Sequence, residues 1–199
     1  MNCRLPKTSF TNPKGCIKQE QQRFNTLLEI INDYIRKHRK YADEEMDFFR
    51  RCPNLPTAIE HAALSKLPNG KRHPHQYRRL HRALAQAERN LQAIPSELRR
   101  CRSFNELYLG IKKAIGYIHD IGPLTIYDVA HRIGVYLKLE PERVYLHAGT
   151  ADGAKALRLN YRRESLDVDE LPKVFRRLKP SEIEDCLCIY KDYLLGIHT

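Results

Sequence analysis

The chain has 199 residues, 42% of them hydrophobic, and a formal net charge of +11. That length and apolar content suit one packed domain, and no apolar run approaches the length of a membrane span. Residues Met1 to Gly15 carry no apolar stretch of signal-peptide length, so the cytoplasm is the expected compartment.

Residues 1–20, with Pro6, Pro13 and Gly15, read as a poorly ordered N-terminal arm. Residues 21–199 read as one helical domain. Phe24, Leu27, Leu28, Ile31 and Ile35 keep helical spacing, and Arg36, Lys37, Arg39 and Lys40 gather at the helix end, where they suit its dipole. Glu44 to Phe49 is a short acidic-aromatic segment before the breaks at Pro53 and Pro56. Thr57-Ala58-Ile59-Glu60 has capping-box spacing and predicts a short helix to about Leu67. Pro68-Asn69-Gly70 predicts a turn, and Leu80, Leu84, Ala87, Leu91 and Ile94 mark the next helix. His73, His75 and His81 invite a metal reading, but acids are absent nearby and Pro74 holds the first pair apart, so no metal is expected. The six cysteines form no CxxC pair. Cys186 and Cys188 are close, but on a helix they point to different faces, so no zinc site from cysteines alone is expected, and without a secretion signal reduced thiols are.

Charge is concentrated in residues 71–102. Lys71, Arg72, Arg78, Arg79, Arg82, Arg89, Arg99, Arg100 and Arg102 face only Glu88 and Glu97 there, which accounts for most of the net +11. A clustered basic stripe rich in arginine is the electrostatic footprint of a phosphate-backbone binder. It equally suits a solvated helix face or a surface for an acidic protein partner.

Ser103-Phe104-Asn105-Glu106 is a second capping box. It opens a helix with Leu107, Ile111, Ala114, Ile115 and Ile118 on one face. Ile126, Val129, Ala130, Ile133 and Leu137 mark another after a tight turn. Gly122 is expected to supply a positive φ there, and Pro123 suits the first turn of the second helix. The turn would aim the free amides of Leu124 and Thr125 at open space, a seat for an anion. An ordinary αα-hairpin has the same features.

Further on, Glu140-Pro141-Glu142 reads as a turn or helix start. Val144 to His147 is a short helix or a buried extended piece. Gly149 to Gly153 is a small-residue turn without the P-loop pattern, with Thr150 as a candidate helix cap. Residues 160–180 mix charged and apolar groups between breaks at Pro172 and Pro180. Ser181-Glu182-Ile183-Glu184 is a third capping box, opening a last helix with Ile183, Leu187, Tyr190 and Leu194 inward. The fold class expected is all-α.

The run from Ile118 to Ala130 resembles the helix-hairpin-helix motif, over residues of about 104–139. That motif reads apolar-Pro-Gly-apolar-Gly-Pro-x-Thr-Ala. Ile121, Gly122, Pro123 and Thr125 match it, while His119, Asp120 and Ile126 depart from it. The resemblance implies backbone amides that hold a DNA phosphate. It extends distantly to the base-excision DNA glycosylases. At their catalytic Asp stands Tyr145, at the lyase Lys stands Leu124, and their iron–sulfur cysteines have no counterpart.

The expectation is therefore nucleic-acid binding, DNA before RNA, with no cofactor and no membrane. The contacts expected are Ile121, Gly122, Leu124 and Thr125 in the hairpin and Lys71, Arg72, Arg78, Arg79 and Arg82 in the stripe. Two alternatives stand beside it. One is a glycosylase-like enzyme with a displaced acid, using Asp128, His147 or Asp152 to activate water. The other is a module that binds an acidic protein.

Overall fold

A computed structural model describes residues 24–66 and 81–197. The arm expected over residues 1–20 and the side chains Lys71, Arg72, His73, His75, Arg78 and Arg79 lie outside the described residues.

The described chain is mostly helical, as the periodicity predicts. Helix α1 (Leu27–Lys37) starts at Thr26, whose Oγ1 accepts the Glu29 amide at 3.2 Å while the Glu29 carboxylate accepts the Asn25 amide at 2.8 Å. A side-chain cap of this kind stabilises a helix by about 1 kcal/mol. Helix α2 (Arg39–Arg50) absorbs the acidic-aromatic segment. The basic cluster expected at one helix end is thus divided. Arg39 opens α2 and pairs with Glu182 at 2.5 Å. Helix α3 (Leu55–Ala63) is capped by Asn54, not by Thr57: the Asn54 side chain accepts the Thr57 amide at 2.9 Å. Pro56 needs no donor in a first turn, so the helix begins ahead of it.

Helices α4 (His81–Gln92), α5 (Pro95–Arg100), α6 (Phe104–Ile115) and α7 (Pro123–Leu137) follow. Ser103 caps α6 as the sequence predicts, accepting the Glu106 amide at 3.1 Å. Val144 to His147 resolves as extended chain. Strand β1 (Val144–Tyr145) pairs antiparallel with β2 (Ser165–Leu166), the one sheet among the described residues. Helix α8 (Ala148–Ala156) has His147 at its N-cap, so Thr150 lies inside the helix and does not cap it. Helix α9 (Pro180–Ile189) is capped at Lys179, whose amide donates to Glu182 at 2.7 Å. The cap predicted at Ser181 is therefore misplaced, again because a proline sits in the first turn, here Pro180 at the first helical position. Helix α10 (Lys191–Leu194) is short.

The apolar faces bury into two cores. One is filled by Phe49, Leu55, Ile59, Leu84, Leu91, Phe104, Leu107 and Ile133, from α2 through α7. The second is filled by Ile30, Ile31, Tyr34, Phe175, Ile183 and Leu187, from α1, α9 and the segment before α9. Helices α8 and α9 approach closely. A side chain at Gly153 would collide with the Leu187 backbone, and one at Gly149 would meet Cys188 Sγ. The Gly149–Gly153 stretch is small because a helix packs on it. Where α2 and α7 of the first core meet α9 of the second, the seam is polar.

Candidate functional site

The bend between α6 and α7 is built from two tight turns. Helix α6 stops at Ile115, short of the expected Ile118; the Ile118 amide donates back to Ile115 at 3.1 Å and the Ile121 amide to Ile118 at 3.0 Å. The residue with positive φ is Asp120, at +77°, not Gly122. Gly122 is extended, with φ −105° and ψ 176°, and serves as N-cap of α7 without any side-chain cap. Asp tolerates the left-handed region better than most residues. Asp120 occupies the place of the first motif glycine, so the bend reaches that conformation with a different residue.

The expected contact residues divide by exposure. Ile121 and Thr125 are buried, at 7% and 1% exposure, and offer no surface to a ligand. Thr125 lies four residues before Val129 on the helix, so the stripe that fills the core carries it inward. Gly122 and Leu124 are partly exposed and Pro123 is exposed. Neither the Gly122 nor the Leu124 amide has a protein acceptor among the described residues. A Cβ built on Gly122 would meet nothing within 4 Å. At the start of α7 the Gly122 and Leu124 amides are therefore open donors in partly exposed residues, with unobstructed space at the Gly122 Cβ position.

Helix α4 abuts this corner. Asn90 Nδ2 donates to the Ala114 carbonyl and to the Tyr117 hydroxyl, both at 2.8 Å. Gln86 donates to Asn90 at 2.7 Å and accepts Arg89 Nη2 at 2.7 Å. Arg82, Gln86 and Asn90 follow one another at intervals of four, so they share a face. Arg82 stands about 12 Å along that face from the bend, at 1.5 Å per residue. Arg82 and Arg89 are exposed, and so is Tyr117, at 75%. Arg99, Arg100 and Arg102 are also exposed, but they precede the other end of α6, about 18 Å away by helical rise. The described part of the basic stripe is thus two patches, of which only α4 adjoins the bend. His81 is exposed at the start of α4.

The three candidate catalytic residues separate as well. Asp152 is on the surface beside Lys191, at 3.4 Å. Asp128 lines the polar seam between α2, α7 and α9, a cleft of about 110 Å³. His147 is buried behind that seam, where Nε2 contacts Glu184 Oε1. Thr150 Oγ1 donates to the same Glu184 oxygen at 2.9 Å. Glu184, predicted as a capping residue, is instead a buried carboxylate held by two partners.

Sequence reasoning missed the other members of this cleft. Arg132, 3% exposed, donates from Nε and Nη2 to Glu45 at 3.2 and 3.1 Å and lies over the Phe49 ring. Asp185 accepts the Tyr34 hydroxyl at 3.0 Å. Burial, with Glu184 alongside, raises the Asp185 carboxyl well above the usual carboxylate range. Burial lowers the His131 imidazole, so that it is held neutral. Tyr127 lines this cleft too, and its buried hydroxyl has no hydrogen-bond partner among the described residues. No group of three or more His, Cys, Asp or Glu among the described residues is arranged to hold a metal ion.

Comparison of the chain with protein-family models, with curated proteins and with solved structures returned no match.

Proposed function

We propose that this chain binds double-stranded DNA by its phosphate backbone, using the bend between α6 and α7 together with the exposed face of α4. The observation that carries the reading is the uncapped start of α7: the Gly122 and Leu124 amides have no protein acceptor among the described residues, and a Cβ on Gly122 would meet nothing within 4 Å. A helix start of this kind concentrates partial positive charge and unpaired donors on an approaching anion. Arg82 and Arg89 supply countercharge on the adjoining helix, and exposed Tyr117 offers a ring at the same corner. A net charge of +11 favours a polyanion over a neutral partner. Contacts of this type position a protein on a duplex without reading bases, so sequence preference is weak.

The test is Gly122→Val, measured by titration into a labelled DNA duplex. A Cβ at this position meets no protein atom within 4 Å and the backbone is extended, so thermal unfolding stays within a few degrees of the wild type, the cap change being worth about 1 kcal/mol. Duplex affinity falls by about tenfold or more, the loss of one charge-assisted contact. Unchanged affinity overturns the proposal. So does binding of polyglutamate as tight as that of the duplex, since that result would make the surface a general site for acidic chains.

A further inference from the structure

We infer that the turn after α8 is a second phosphate-contacting surface, where Lys155, Arg158 and Arg162 grip the backbone of the same duplex; this rests on the proposed duplex binding and adds a surface to it. The first observation is uncompensated charge. The sequence from Gly153 to Arg163 carries four basic side chains and no acid. Lys155, Arg158 and Arg162 are exposed, and none has an acidic partner or a side-chain hydrogen bond among the described residues. The acids that flank this run are held by other cations: Asp152 by Lys191 at 3.4 Å, Glu164 by Lys112 at 2.6 Å and Asp167 by Arg143 at 2.6 Å.

The second observation is that the free cations are held in place. Lys155 Nζ lies 5.6 Å and the Arg162 guanidinium 5.8 Å from the centroid of one ring, that of Tyr161. Tyr161 packs in turn against the second core. An aromatic face attracts a cation without neutralising it, so the ring keeps two like charges beside each other at full strength. Guanidinium groups present a planar fork that matches phosphate oxygens. A duplex, with one charge per about 1.7 Å of its axis, is dense enough to engage all three side chains at once.

The third observation is position. Glu164 ties this turn to α6, where its carboxylate accepts Lys112 Nζ and, at 2.9 Å, the Tyr108 hydroxyl. Lys112 stands in the last turn of α6, just ahead of the bend. Ala114, whose carbonyl receives Asn90 of α4, lies about 200° around the helix from Lys112, at about 100° per residue. The turn and α4 therefore flank α6 on opposite sides, and the exposed edge between them carries Lys113. With packed elements about 8–10 Å apart, this front is about 20 Å across, less than the roughly 34 Å of one duplex turn.

The probe is a labelled DNA duplex, followed by fluorescence anisotropy across a salt series. Lys155→Gln, Arg158→Gln and Arg162→Gln combined should make the slope of log affinity against log salt shallower by about 2.7, at about 0.9 per phosphate contact. Arg158→Gly is the second variant. Arg158 holds a left-handed φ of +58°, which glycine adopts freely, so this variant should unfold no earlier than the wild type. Its slope should still fall by about 0.9, which separates a lost contact from a damaged fold. Gly122→Val is measured alongside. Weaker binding in Gly122→Val with wild-type slopes in the other two folded variants overturns this inference and leaves the bend. Shallower slopes in both with unchanged affinity in Gly122→Val support this surface and overturn the bend. Polyglutamate that binds as tightly as the duplex, and weakens by the same factor in the triple variant, overturns the assignment to phosphate. No saturable duplex binding by the wild type overturns both.

Discussion

Three tyrosine-to-phenylalanine substitutions should differ in sign, and the difference follows from what each hydroxyl touches. The buried Tyr127 hydroxyl has no hydrogen-bond partner among the described residues, so it was taken from water without compensation there. An unsatisfied buried group costs about 1–3 kcal/mol, and Tyr127→Phe recovers part of that. A gain of about 1 kcal/mol is expected. Tyr190 donates at 2.8 Å to Asp33, a 5% exposed carboxylate that also pairs with Arg36 and Lys37. Removing a bond to a charged acceptor costs about 1.5–3 kcal/mol, so Tyr190→Phe is destabilising. Tyr34 donates to Asp185 at 3.0 Å, and burial raises that carboxyl well above the usual carboxylate range, which disfavours its charged form, so Tyr34→Phe costs less than Tyr190→Phe, about 1 kcal/mol. Equilibrium urea denaturation measures all three, with the m-value checked for constancy. A loss of stability in Tyr127→Phe equal to that in Tyr190→Phe would refute the reasoning.

Gly153→Ala should destabilise by about 1–3 kcal/mol, because its methyl group drives α8 off the Leu187 backbone; denaturant midpoints check this. Arg132→Met should destabilise by about 1–3 kcal/mol by removing the two guanidinium hydrogen bonds to Glu45, and adding Glu45→Gln should change stability by less than it does in the wild type, a comparison read as a double-mutant cycle. Stability should also depend on pH through the cleft. The folded Asp185 carboxyl titrates above its ordinary value of 3.8, so its contribution is complete below that value and is lost as pH rises through the folded titration. His131 is lowered from 6.5, so its contribution is present above that value and is lost as pH falls through the folded titration. Urea titrations across pH should show Asp185→Asn losing the alkaline decline while keeping the acid one.

Helices were legible in the sequence wherever a single amphipathic face met a solvated one, as in α1, α6 and α7. Their starts were less legible, and the failures share a cause. Pro56 and Pro180 each sit within a first turn, so the helix begins before the Ser or Thr whose spacing imitates a cap. The bend was recognisable from Gly122-Pro123, yet its left-handed residue is Asp120, since local hydrogen bonding, not composition, decided which residue turned. The narrowing of the expected contact set to Gly122 and Leu124 follows from Thr125 lying on the inward face. The polar cleft was hidden for a different reason. Glu45, Tyr127, Glu184 and Asp185 belong to three helices far apart in sequence, and only packing of the two cores brings them together. A capping-box pattern over Ser181–Glu184 even offered a plausible surface role for the carboxylate that is in fact buried.

The most direct test of duplex binding by the bend and α4 is its salt dependence. Fluorescence anisotropy with a labelled duplex, repeated across a salt series, gives the slope of log affinity against log salt. Each phosphate contact contributes about 0.9 to that slope, so replacing Arg82 and Arg89 together by glutamine should make it shallower by about 1.8 while weakening affinity at low salt. A slope and an affinity identical to those of the wild type would contradict the account.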